Sequence, residues 1–261
     1  MDTPYPKISV VTPNYNLGDF IESTILSVLN QHYPNLEYII IDGGSIDNSL
    51  QVIKKYESKI SYFVTEPDKG MYDAINKGFA IATGDILCWI NSDDVLWEGS
   101  LHYVAKIFTE NKQVQWLQGF PSLINEDGEL VFQRKPVVSK FHFYLRKYKS
   151  DYSFIQQEST FWTKKLWDVS GGKINTEYTL AGDFDLWMRF FKYEKLYASK
   201  IQLGAFRERE GQLSKNMSLY LEETEKSIQT HYKTLSFTDR IYLWYLNFFK
   251  INYSIKIKYI D

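Results

Sequence analysis

Short apolar runs alternate with amphipathic stretches through the first third of the chain. Residues 8–13, 36–41, 60–65 and 85–90 are rich in Val and Ile and too short for helices, which predicts four buried strands. Between them Phe20, Ile21, Ile25, Val28 and Leu29 recur at helical spacing, Leu50, Val52 and Ile53 suggest a second helix, and residues 71–82 predict a third. Strands alternating with helices imply parallel pairing and right-handed crossovers, so the fold class is α/β.

Beyond residue 95 the alternation loosens. A helix is expected over 99–111 and strands over 114–120 and 123–132, the latter interrupted by the Glu126-Asp127-Gly128 turn. A further strand is expected over 155–162, and Gly171-Gly172 is a turn. Leu186, Phe190 and Phe191 share one helical face behind Asp183 and Asp185, acids that a helix start favours. Asp183 in isolation reads equally as a helix cap. Residues 219–235 are helical in pattern, with Glu222, Glu223, Glu225 and Lys226 on a charged face, and residues 255–259 alternate as an edge strand would.

Open α/β sheets bind ligands beyond the carboxyl ends of their strands. Four consecutive strand ends here deliver Thr12-Pro13-Asn14-Tyr15, Asp42, Asp68 and Asp93-Asp94 to one edge. Adjacent carboxylates repel unless a cation or ligand hydroxyls compensate, and hard oxygen ligands suit Mg²⁺ or Mn²⁺ carrying a diphosphate. Asp93-Asp94 alone would pass for a solvated turn; the convergence of four acidic or polar strand ends points to a ligand site. No G-x-G-x-x-G or G-x-x-x-x-G-K-[ST] follows the first strand, so dinucleotide and P-loop readings lack their phosphate cradles. A metal is therefore expected to hold the phosphates. A nucleotidyltransferase is disfavoured, because no glycine- and basic-rich triphosphate loop lies near the N-terminus.

Composition narrows the choice further. A formal net charge of -2 over 261 residues gives no global reason to expect nucleic acid, whose binding needs a basic face, and leaves only local basic patches. The single cysteine, Cys88, lies in an apolar run, which excludes a disulfide within the chain and fits a reducing compartment. Residues 1–7 do not resemble a signal peptide, and no apolar stretch of about 20 residues is present to span a bilayer. The expected location is cytoplasmic, with peripheral contact at the cytoplasmic face of the membrane.

The chain resembles the family 2 glycosyltransferases of the GT-A fold, of bacterial surface-polysaccharide type, over residues 7–215. The match rests on Ser9-Val10-Val11-Thr12-Pro13-Asn14-Tyr15-Asn16, Ile41-Asp42-Gly43-Gly44-Ser45-Ile46-Asp47, the stretch from Glu66-Pro67-Asp68-Lys69-Gly70 to Asn76-Lys77-Gly78, Asn91-Ser92-Asp93-Asp94 and Gly182-Asp183-Phe184-Asp185-Leu186-Trp187, in family order. The resemblance implies a Rossmann-like, mostly parallel sheet with helices on both faces. It implies a GT-A domain over 1–215, with a nucleotide-binding half at 1–95 and an acceptor-binding half at 96–215, and a C-terminal helical, aromatic extension over 216–261. It also implies inverting hexosyl transfer from a UDP-sugar to a hydroxyl of a lipid-linked glycan acceptor in cell-surface polysaccharide biosynthesis.

In such enzymes the Tyr15 position stacks on uracil, the Asp42 position accepts from the ring N–H, and Asp68 with Lys69 closes the base and ribose pocket. Thr12 and Pro13 belong to the same nucleotide-sugar site. Asp93 would hold ribose hydroxyls, Asp94 would ligate Mn²⁺ or Mg²⁺ on the diphosphate, and Asp183 matches the general base, with Asp185 as the alternative. Two positions depart from the family. Gly182 stands where a Glu often precedes the base, and Arg209 replaces a histidine metal ligand. Arg209 cannot ligate a cation, but its guanidinium suits direct contact with a diphosphate; a solvated charged loop is the other reading. The two departures keep open a second function, a UDP-sugar-binding domain without turnover that serves as an assembly partner. Residues 237–251 are densely aromatic and, with Lys250, Lys256 and Lys258, suit a membrane interface. A helix docked on the catalytic domain or on a second subunit is the alternative.

Overall fold

A computed structural model describes residues 5–249, 257, 259 and 260. The first half builds strand β1 (Ile8–Asn14), helix α1 (Ile21–Leu29), β2 (Leu36–Asp42), α2 (Ser49–Lys54), β3 (Tyr62–Thr65), α3 (Met71–Ile81) and β4 (Ile86–Trp89). Next come β5 (Val95–Leu96), α4 (Ser100–Glu110), β6 (Trp116–Gln118), β7 (Ser122–Ile124), β8 (Leu130–Gln133), α5 (Lys140–Tyr144) and α6 (Tyr148–Asp151). The chain continues through β9 (Thr160–Thr163), α7 (Lys164–Val169), α8 (Gly182–Phe190), β10 (Tyr197–Ala198), β11 (Gly204–Arg207), α9 (Met217–Tyr232) and α10 (Phe237–Phe248).

The main sheet has the order β10-β6-β9-β4-β1-β2-β3, and a smaller one the order β5-β11-β7-β8. β1 lies parallel between β2 and β4, so the winding direction reverses there and a crevice opens beyond the ends of β1 and β4. Every residue of β1 is buried because both faces of the sheet are covered. Side chains alternate between two cores. Val10, Ile40, Ile86 and Cys88 face α1 and α4, while Val11, Ile39, Ile41, Leu87 and Trp89 face α3 and α8. Gly78 lets α3 close on β1, since a Cβ there would collide with Val11. Cys88, 2% exposed in mid-strand, is a buried thiol whose pKa burial drives upward.

The strand expected over 155–162 begins instead as a 3₁₀ turn, Gln157–Ser159, and becomes β9 only at Thr160. Its polar side chains take over the backbone's bonding: Gln156 Oε1 accepts from Ser122 N at 2.8 Å, Gln156 Nε2 donates to Ser122 O at 2.6 Å, and Gln157 Nε2 donates to Trp89 O at 2.5 Å. The expected strands over 114–120 and 123–132 shrink to β6 and the β7–β8 hairpin. Helices α5, α6 and α7 and strands β10 and β11 had no clear periodic signature.

The division expected at 215/216 falls at the start of α9, which packs on α8. Its acidic face is only partly solvated: Glu223 is buried, and Glu225 pairs with Arg146 and Lys149. α10 docks through Leu243 and Leu246, a 2.7 Å Lys140–Asp239 ion pair and an edge-on Phe141–Tyr242 contact. The docked-helix reading describes its inner face. Its outer face leaves Phe237, Ile241, Trp244, Tyr245 and Phe248 exposed. Lys250, Lys256 and Lys258 lie outside the described residues, as does most of the expected 255–259 strand; Tyr259 forms a single parallel bridge to Ala198 at the sheet edge.

Candidate active site

The end of β1 and the loop after β2 form the floor of the crevice. Asp42 is wholly buried and accepts five hydrogen bonds, from Asn14 Nδ2 and Ser45 Oγ on one oxygen and from Gly44 N, Ser45 N and Thr65 Oγ1 on the other. Burial opposes ionisation, but these bonds prevail and hold its pKa below the usual value. A carboxylate offers about four lone-pair sites, so none remains for a uracil N–H. The structure thus gives Asp42 to shaping the loop rather than reading a base. Thr12 is also turned inward, its hydroxyl 3.2 Å from that of Tyr38, and Pro13 is buried beside it.

Tyr15, 61% exposed, presents a free ring at the mouth of the crevice. Ile46, 91% exposed on the neighbouring loop, is an apolar surface not singled out from sequence. Asp68 reaches back over the β2 loop, occupying space that any side chain at Gly43 would take. One of its oxygens accepts from Gly70 N at 2.8 Å, and Lys69 next to it is exposed.

Asp93 and Asp94 lie beyond β4 as expected. Asp94 is fully buried, accepts from Arg207 N at 2.8 Å and Asn91 Nδ2 at 3.0 Å, and has its pKa driven well above the usual value, first by burial and then by the charges of Asp93 and Glu158. Asp93 is clasped by arginines: Arg209 Nε donates to its carboxylate and Arg207 Nε to its carbonyl, each at 2.7 Å. Arg209 is thus an ion-pair partner of Asp93 stacked on Phe20, not an idle loop residue.

Asp183 starts α8. It is partly exposed, yet one carboxylate oxygen is buried without a partner. Burial pushes its pKa up to about 7, against the lowering effect of the N–H groups at the helix start, and the charge of Glu223 adds to the rise. Asp185 faces the opposite way. It is 5% exposed, one oxygen accepts from Arg189 Nε at 3.1 Å, and the other meets Ser227 Oγ at 3.1 Å and His231 Nε2 at 2.8 Å. Despite burial these partners hold its pKa low. Asp185 locks α8 to α9, which removes it from the base candidates.

Glu158 was missed from sequence. Buried in the 3₁₀ turn, it interacts electrostatically with both Asp94 and Asp183, and burial pushes its pKa up to about 7. The signal was available: Gln156-Gln157-Glu158 opens a polar interruption between Phe154-Ile155 and Phe161-Trp162. Arg207 had no role assigned from sequence; only the fold shows that its Nε bonds the Asp93 carbonyl and its backbone N–H the Asp94 carboxylate. Asp93, Asp94, Glu158 and Asp183 are thus linked electrostatically, with the two guanidiniums of Arg207 and Arg209 bonded to Asp93. The carboxylates outnumber the guanidiniums, so negative charge there is under-compensated, a setting in which hard oxygen ligands suit a divalent cation. No group of three His, Cys, Asp or Glu residues among the described residues could hold a metal ion by itself.

The 3-2-1-4 strand order with an acidic edge beyond β4 defines a GT-A glycosyltransferase fold. The chain belongs to glycosyl transferase family 2, whose model matches residues 9–169. It is 41% identical over 93 residues to an uncharacterized glycosyltransferase of Mycobacterium tuberculosis, covering 35% of this chain and 36% of that one. It is 33% identical over 126 residues to the putative teichuronic acid biosynthesis glycosyltransferase TuaG of Bacillus subtilis, covering 47% and 50%. The chain thus spans half or less of the length of these relatives. Among solved structures it is similar to S. aureus TarS 1-349 in complex with UDP-GlcNAc, with a TM-score of 0.66, 19% identity and coverage of 86% of this chain and 66% of that one. The mannosyltransferase PcManGT of Pyrobaculum calidifontis, in complex with GDP-Man and Mn²⁺, superposes with a TM-score of 0.58, 17% identity and coverage of 79% and 59%. Likeness at these identities establishes the shared fold.

Proposed function

We propose that this chain is an inverting glycosyltransferase that moves a sugar from a UDP-sugar to a hydroxyl of a glycan acceptor, lipid-linked, in the assembly of a cell-surface polysaccharide. The observation that carries the reading is the electrostatic link, through Glu158, between the Asp94 carboxylate and Asp183, one of whose carboxylate oxygens has no hydrogen-bond partner. TuaG's name supports the polysaccharide context and the UDP complexes of TarS support the donor.

Tyr15 stacks on the uracil, and Asp68, lying over Gly43, takes the base-reading role that Asp42 has no lone pair to fill. Asp93 keeps one oxygen for ribose hydroxyls while Arg209 holds the other. Lys69 reaches the donor from the rim. When bound at Asp94, Mn²⁺ or Mg²⁺ supplies neutralising charge at the diphosphate leaving group. Arg209 and Arg207 add fixed positive charge on the same side. Asp183 accepts the proton of the attacking acceptor hydroxyl on the opposite face of the sugar, which inverts the anomeric centre. The outward aromatic face of α10 supports peripheral contact with a membrane, where a lipid-linked acceptor resides. No helix among the described residues is long and apolar enough to cross one.

The test is a panel of UDP-sugars assayed for UDP release and for product configuration by NMR, with Asp183→Asn as control. An inverted product that disappears in the control is expected. A retained configuration, or equal turnover in the control, refutes the mechanism. A sugar nucleotide that raises Tm but is never turned over with any acceptor would favour the assembly-partner reading.

A further inference from the structure

The turn that carries Asp183 is held from two sides, by Glu223, which lies in no motif, and by Tyr72, which lies in the 66–78 motif without an assigned role. On one side Glu223, from α9, accepts hydrogen bonds from three successive backbone N–H groups: Thr179 N to one oxygen, and Leu180 N and Ala181 N to the other, each at 2.8 Å. On the other side Tyr72, in the first turn of α3, uses its hydroxyl twice, donating to Leu180 O at 2.6 Å and accepting from Gly182 N at 2.9 Å. Four consecutive residues before the base are therefore bonded to side chains 42 to 110 positions away. Gly182 belongs to the same arrangement. A Cβ there would stand 2.7 Å from the Tyr72 ring, so the absence of a side chain at 182 is what admits the tyrosine. Both side chains are buried, Tyr72 at 4% and Glu223 at 9% exposure.

We propose that Tyr72 and Glu223 are positioning residues that clamp the 179–182 turn and so fix the carboxylate of Asp183 for proton transfer. The inference rests on Asp183 being the base. A buried carboxylate bonded to three backbone N–H groups leaves the turn no alternative partner of equal strength, and sub-ångström misplacement of a catalytic group is costly in rate. Tyr72 also sits two residues past Gly70, whose N–H holds Asp68. The clamp thus joins the donor-facing end of α3 to the base directly, while α9, beyond the family-matched stretch, completes the active site from the outside.

The experiment compares Tyr72→Phe, Glu223→Gln and Asp183→Asn in the full chain, measuring kcat, donor KM, UDP affinity, Tm and the pH profile. The groups acting on Asp183 are Glu223 and Tyr220 from α9, Tyr72 from α3 and Glu158 from the 3₁₀ turn, with Arg134 acting on Glu158 and Tyr220. Tyr72→Phe keeps the ring over Gly182 and loses only the two bonds. It should fold, bind UDP within twofold of the parent and lose about ten- to a hundredfold in kcat. Glu223→Gln should also lower kcat. Because the Glu223 charge raises the Asp183 pKa, its removal should move the acid limb of kcat to lower pH. Normal kcat in a folded Tyr72→Phe protein overturns the clamp. So does a Glu223→Gln protein whose activity falls only in proportion to its folded fraction, with an unmoved acid limb. If Glu223→Gln fails to fold, Tyr72→Phe decides the matter alone. Full activity in Asp183→Asn would instead overturn the assignment of the base, a result independent of both clamp variants.

Discussion

Asp183→Asn separates catalysis from stability in opposite directions. In the parent, burial holds the Asp183 pKa near 7 against an ordinary 3.8. The native state therefore binds this proton more tightly than the unfolded state, so stability falls as pH rises from about 4 to about 7, and the whole penalty is present above pH 7. A shift of roughly 3 pKa units corresponds to about 4 kcal/mol as a ceiling, and the partly open crevice screens some of it. Asparagine is nearly isosteric and has no charge to bury. The variant should be more stable than the parent at pH 8, by about 1–3 kcal/mol, or several degrees in Tm, and should lose this advantage at pH 4. Turnover should fall by about 10²–10⁴-fold with donor affinity intact. Differential scanning calorimetry at the two pH values, beside initial rates, checks both. A variant less stable than the parent at pH 8 would show that the charged form of Asp183 is well compensated, and would refute the account of a strained, poised base. The parent's kcat should likewise fall as pH drops through about 7, since only the ionised carboxylate accepts a proton.

Asp94→Asn should abolish the Mn²⁺-dependent part of UDP affinity while sparing uridine binding, as read by calorimetry with and without the ion; UDP affinity in the parent that never responds to Mn²⁺ would transfer leaving-group stabilisation to Arg209. Asp42→Asn should lower stability rather than act selectively on UDP, because an amide faces donors that now lack an acceptor, at about 1–3 kcal/mol; unchanged Tm with weakened UDP binding would restore Asp42 to the base site. Replacing Trp244 and Phe248, 61% and 65% exposed, by Ser should release the chain from anionic vesicles with little change in Tm, whereas Leu243→Ala, 3% exposed, should cost about 2–5 kcal/mol of stability. Vesicle binding that survives the Trp244 and Phe248 changes removes α10 from membrane contact.

The parallel half of the fold was legible because each strand is a compact run of β-branched, aromatic or other apolar residues, too short for a helix, between amphipathic stretches of helical period. The second half was not, because its elements are short and borrow their bonds. The polar triplet Gln156-Gln157-Glu158 buries side-chain amides against backbone of β4 and β7, a tertiary solution that local pattern does not encode. Among candidate site residues, position in a motif singled out Asp93, Asp94 and Asp183 but could not show which way a carboxylate points. Asp42 and Asp185 have the same chemistry as their neighbours, and only their bonding partners reveal that both are structural. Glu223 lies on what the sequence marks as a charged helix face. Its role depends on three N–H groups that come together only in the folded chain.

The solitary thiol in the middle of β4 has a practical consequence. A maleimide or disulfide reagent finds no cysteine on the native surface, so its slow reaction with Cys88 counts molecules in which the central sheet has opened, and the rate gives the free energy of that opening without any introduced probe. Donor binding that bridges β1 and β4 should slow the reaction in proportion to occupancy. The same silence of the surface makes the protein a ready host for site-selective chemistry: a cysteine introduced on the outer face of α10 would be labelled first, leaving the native thiol as an internal clock.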